Sequence, residues 1–148
     1  MPWGSIGFVL LAASFLPIQA ACNGALNRAL GRPALVVVIS ITGSLAFMVA
    51  AGLISGRLGL VPADRFARVP PWAWLAGVCG AIYLLSQPIA APRLGAALYM
   101  SLAVTGQVAT AVLLDHFGLL NLPQHAASPG RVLGTVLIAA GVSLVAWF

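Results

Sequence analysis

Neutral amides recurring at four-residue intervals carry most of the chemical content of this chain. Gln19, Asn23 and Asn27 fall at i, i+4 and i+8, so on a helix they share one face. Tyr83 and Gln87 repeat the spacing, and Gln107 stands eight residues before Asp115. Amides and phenols of this kind hydrogen-bond to a polar solute or to each other. Acid–base chemistry has few candidates, because Asp64 and Asp115 are the only carboxylates and His116 and His125 the only histidines. The adjacent pair Asp115-His116 is the one candidate for proton coupling, against the plainer reading of a helix end with an interfacial counter-charge. There is no phosphate loop, nucleophile elbow, paired carboxylate or metal-ligand spacing. Neither an enzyme nor a cofactor or metal is expected, and no residue is assigned a catalytic role.

The elements that must position these groups follow from composition. Of 148 residues, 61% are hydrophobic and 6% charged, whereas an ordinary soluble domain carries roughly 25% charged residues. Such a chain cannot cover a water-facing surface. It reads as an all-α membrane protein, and at roughly 20 residues per crossing five transmembrane helices use nearly all of it. They are placed at about 3–30, 33–55, 71–91, 94–114 and 131–147, in a single transmembrane domain spanning 1–148. The N-terminal run lacks the basic residues of a cleaved leader and is taken as the first helix. Pro17, near its middle, removes a backbone hydrogen bond and predicts a bend or local unwinding. Pro88 and Pro92 are expected to end the third span. Residues 61–66 are expected on the membrane surface, and 115–130 form the longest polar loop. Cys22 and Cys79 fall inside apolar runs and read as small core residues.

All seven basic residues are arginines, standing singly at the edges of apolar runs. That suits interface anchors and not a nucleic-acid patch. Five spans place the termini on opposite sides. One side then holds Arg57, Arg65, Arg68 and Arg131, the other Arg28, Arg32 and Arg93. Four against three gives the positive-inside rule almost nothing to act on. The expectation is insertion in both orientations and pairing as an antiparallel homodimer. Five plus five inverted spans reproduce the inverted-repeat plan of many transporters, with a solute site near the midplane.

In that setting an unpaired amide in hydrocarbon is costly, so Gln19, Asn23, Tyr83, Gln87 and Gln107 are expected to line a solute cavity. Ser101, Thr105 and Thr110 carry less weight, since Ser and Thr often bond back to their own helix. Asp115, His116 and Arg28 are candidates for coupling, or for an ion pair between subunits.

Several segments are similar to a known family. Pro17-Ile18-Gln19, Asn23, Gly31-Arg32-Pro33 and Ser40-Ile41-Thr42-Gly43 resemble the first half of the YdcZ-type inner-membrane exporters. Pro71 to Gly77 resembles that family's third-span opening. Leu94-Gly95-Ala96-Ala97, Gly106-Gln107 and Asp115-His116-Phe117-Gly118 resemble its fourth span, and Arg131-Val132-Leu133-Gly134 its last. The resemblance implies the drug/metabolite transporter superfamily: a five-helix half that pairs into a ten-helix transporter, multi-pass in the bacterial inner membrane. The small multidrug exporters are similar in plan but carry a membrane glutamate in their first helix. Gln19 and Asn23 are uncharged, so simple proton/cation antiport is not expected.

The leading expectation is an exporter of a small metabolite or drug-like solute, working by alternating access. Its partners are the lipid bilayer, a second copy of itself and the solute, with no nucleic acid. Two rivals stay open: a dual-topology ion channel, and a non-transporting partner that completes a paralogous transporter.

Overall fold

Water is absent from a bilayer core, so each spanning segment must satisfy its backbone polar groups internally, and helices do this. The computed structural model describes residues 3–59 and 62–148 and contains helices and turns, with no strand among the described residues. Among the described residues, five helical segments are long and apolar enough to cross a membrane: Trp3–Leu30, Pro33–Ile54, Pro71–Leu94, Ala96–Phe117 and Pro129–Trp147.

The first span is two helices, α1 (Trp3–Ala13) and α2 (Phe15–Leu30), interrupted at Ser14. Pro17 has no N–H for the carbonyl of Ala13, and the helix breaks beside that orphaned group. Ser14 Oγ donates to Leu11 O at 2.7 Å, which keeps its hydroxyl paired in an apolar setting. α3 (Pro33–Ile54) opens on a proline, whose missing N–H costs nothing in a first turn. A short α4 (Ala63–Ala67) follows, and Phe66 stacks on Trp74 with ring centroids 6.5 Å apart. Val61, at the head of the expected surface segment, lies outside the described residues.

A 3-10 turn at Pro71–Trp74 leads into α5 (Leu75–Leu94). This helix does not stop at its prolines, contrary to expectation; it runs through Pro88 and Pro92 to Leu94. Gly95 then turns the chain at φ +81° into α6 (Ala96–Phe117). α6 extends three residues past the expected Leu114 and takes Asp115 and His116 into its last turn. Gly118 closes it in the left-handed conformation, φ 60° and ψ 34°, which glycine adopts without steric penalty. α7 (Pro129–Trp147) is capped by Ser128, whose Oγ accepts from Arg131 N at 3.4 Å.

The chain forms two compact units, residues 19–90 and residues 1–18 with 91–148. In the first, Ala20, Asn23, Gly24, Val36, Val37, Gln87 and Pro88 are buried. In the second, α6 and α7 pack together. A groove of about 410 Å³ between them is walled by Met100, Val104, Ile138, Gly141 and Val142.

Most large apolar side chains point outward, among them Phe8 at 72%, Leu53 at 64% and Ile82 at 66% exposure. In water such patches would drive association; lipid covers them without cost. Cys22 and Cys79 are likewise exposed and are not core residues. When the surroundings are as apolar as the interior, a small sulfur side chain gains nothing by turning inward.

Candidate functional site

The polar stripe of α2 meets α3 and α5 inside residues 19–90. Asn23 is 2% exposed and Gln87 is 0% exposed. Asn23 Nδ2 donates to Gln87 Oε1 at 2.7 Å. Ser40 Oγ, from α3, donates to Asn23 Oδ1. Three helices are therefore tied by one directed chain, Ser40 to Asn23 to Gln87. In a low-dielectric interior such chains are strong when complete and costly when not.

This chain is not complete. The Nε2 of Gln87 is buried with no partner among the described residues, and so is the hydroxyl of Tyr83, one turn earlier on α5. Polar valence is left over at both atoms.

Asn27, one turn beyond Asn23, has a different task. Its Nδ2 donates to Pro88 O at 2.8 Å. In a regular helix that carbonyl would accept from the N–H of residue 92, but residue 92 is proline and has none. The side chain of α2 supplies the missing donor, which lets α5 continue through Pro92. The Oδ1 of Asn27 is buried without a partner among the described residues.

Gln19 is half-buried on α2 and makes no side-chain hydrogen bond among the described residues. Gln107 belongs to the unit formed by 1–18 and 91–148, where it stands exposed near the middle of α6. Of the expected cavity residues, then, Asn23 and Gln87 touch directly, and Tyr83 shares the α5 face of Gln87. Thr105 bonds back to Ser101 O at 2.9 Å, as its residue type suggests.

Asp115 and His116 join a clasp at the α6–α7 connection. Arg131 Nη2 meets Asp115 Oδ2 at 2.8 Å, and Arg131 Nη1 donates to His125 O at 3.2 Å. His125 N donates to Asp115 O at 2.8 Å. Ala127 N donates to His116 Nδ1 at 3.1 Å, a bond that needs this nitrogen unprotonated. Asp115 thus has a partner within its own chain, where an arginine of another subunit had been a candidate. Arg28 is exposed in the last turn of α2, where a cation complements the helix dipole.

Two contributors escaped the sequence reading. Ser40 lay in a recognised motif without a role. The Pro88 carbonyl was hidden in a spacing that does announce it, since prolines at i and i+4 of one helix leave the first carbonyl without its donor.

The site is made of neutral amides and hydroxyls, suited to hydrogen bonding and not to metal ligation. No curated protein and no solved structure matches the chain. Residues 5–144 match the family of the putative inner membrane exporter YdcZ. With five apolar spans and nearly its whole length inside that match, the chain belongs to this family of multi-pass inner-membrane transport proteins.

Proposed function

We propose that the chain exports a small polar solute by alternating access, working as an antiparallel homodimer. Asn23, Tyr83 and Gln87 form the solute site, and Gln19 and Gln107 are further polar contacts along the path. The observation that carries this reading is the buried chain Ser40–Asn23–Gln87, ending on an unpartnered amide nitrogen. An unsatisfied buried donor costs about 1–3 kcal/mol, and both Gln87 Nε2 and the Tyr83 hydroxyl are left open on one helix. A group left open at that cost is best explained by what comes to occupy it.

Pairing of two copies is supported by the near-even arginine count and by Gln107. An amide standing exposed at mid-span faces hydrocarbon unless protein or a water-filled path covers it. Asp115, His116 and Arg28 remain proposals for coupling, with the Arg131 clasp as the first contact that any such role must break.

The test is counterflow in proteoliposomes. A stabilisation screen over small metabolites supplies the solute, since a ligand that binds only the folded protein raises its apparent stability. Counterflow of that solute should saturate, and Gln19→Leu or Gln107→Leu should abolish it while the dimer survives. Flux that never saturates would favour a channel, and full activity in both variants would remove these residues from the path.

A further inference from the structure

We infer that the solute presents an uncharged oxygen acceptor, an amide or ketone carbonyl or a hydroxyl, to the buried face of Gln87 and Tyr83. This rests on the reading of the cluster as the solute site and adds the chemical class of what binds there.

The polarity of the hydrogen-bond chain carries the inference. Ser40 gives its proton to Asn23 Oδ1, and Asn23 Nδ2 gives one to Gln87 Oε1. The oxygen of Gln87 is thereby engaged, and what it offers beyond the chain is its Nε2, a donor only. The Tyr83 hydroxyl, four residues earlier and so on the same helix face, adds a second donor, an O–H without a partner among the described residues. Two donors on one face of α5 are thus without a partner among the described residues. A ligand completes them by bringing an oxygen.

Charge decides between kinds of oxygen, and a ligand that only donates would answer Asn27 Oδ1, left open one turn along α2, but not the Nε2 of Gln87. Every charged side chain in residues 19–90 is exposed: Arg28, Arg32, Arg57, Asp64, Arg65 and Arg68. No buried counter-ion stands ready in this unit for a carboxylate or an ammonium group. Bringing an ion into apolar surroundings without one costs far more than a hydrogen bond returns. An organic cation fails twice, having neither a counter-charge nor an acceptor to offer the amide.

The experiment uses three probes with one four-carbon skeleton and different polar ends: butyramide, butyrate and butylammonium. Saturable thermal stabilisation of the purified full-length protein in detergent is the readout. Butyramide should stabilise, with both ions weaker by roughly tenfold or more, on the scale of one lost buried hydrogen bond. Gln87→Glu keeps an oxygen for Asn23 Nδ2 but removes the free N–H donors. It should abolish the butyramide response and raise that to butylammonium. Tyr83→Phe removes only the hydroxyl and should weaken butyramide several-fold.

A Gln87-dependent preference of the wild-type protein for butylammonium, as would follow if both amides were inverted to leave an oxygen at the open end, overturns the class and leaves the site. A butyramide response unchanged in Gln87→Glu and Tyr83→Phe overturns both. No saturable response to any of the three probes assigns the open valences to a buried water and overturns the inference.

Discussion

At the scale of single residues, Asn23 and Asn27 look alike in sequence and do different work. Both sit on one stripe of α2, and both reach α5. Asn23 enters the open chain through Gln87, while Asn27 caps the carbonyl that Pro92 leaves bare. The stripe itself was legible because amides four residues apart on an apolar helix have few places to go. What the stripe meets was not, since which carbonyl or hydroxyl faces an amide depends on helix packing. The division of labour makes a prediction. Asn27→Leu should destabilise the protein by about 1–3 kcal/mol, the usual result of orphaning a buried acceptor. Pro92→Ala restores an N–H to Pro88 O, so the same Asn27→Leu change in that background should cost about 1 kcal/mol less. A thermal or denaturant melt of the four proteins measures this, and equal costs in both backgrounds would refute the capping role.

At the scale of elements, prolines and glycines punctuate the chain in opposite ways. Pro17 interrupts the first span because no group among the described residues replaces the donor that Ala13 loses, whereas Pro92 is absorbed because Asn27 replaces the donor that Pro88 loses. Local sequence announces where a backbone bond is lost; only tertiary contact tells whether it is replaced. That is why the break in the first span was anticipated and the continuation of α5 was not. Asp115 and His116, expected at the end of the fourth span, lie in the last turn of α6, held there by Gly118 and the Arg131 clasp. Gly118 has φ 60°, and a Cβ there would stand 3.3 Å from Gln124 Cβ. Gly118→Ala should therefore lower stability by about 1 kcal/mol, the scale of forcing a left-handed residue, and loosen the 118–128 connection. Hydrogen exchange at Ala127 N, which is bonded to His116, reads this loosening; unchanged protection would contradict it.

At the scale of the whole molecule, fold class was the most legible property. Charge at 6% and long apolar runs leave little besides a helical membrane protein, and the five spans follow from length. The site was legible in part, because composition tells which polar groups are expensive at membrane depth but not which are satisfied. Orientation is the weakest term, four arginines against three. A C-terminal reporter pair should accordingly score on both sides of the membrane. Two lysines added to the 56–70 loop should drive a single orientation, since the positive-inside bias acts through such short loops. A single-sided wild-type reporter would end the dual-topology reading and leave the solute site untouched. That site is the central claim, and solute counterflow in proteoliposomes by wild type and by Gln87→Leu tests it most directly. The account predicts saturable exchange in the wild type and loss of at least about tenfold in the variant, with both proteins folded by their melting curves. Wild-type exchange rates in folded Gln87→Leu would contradict it.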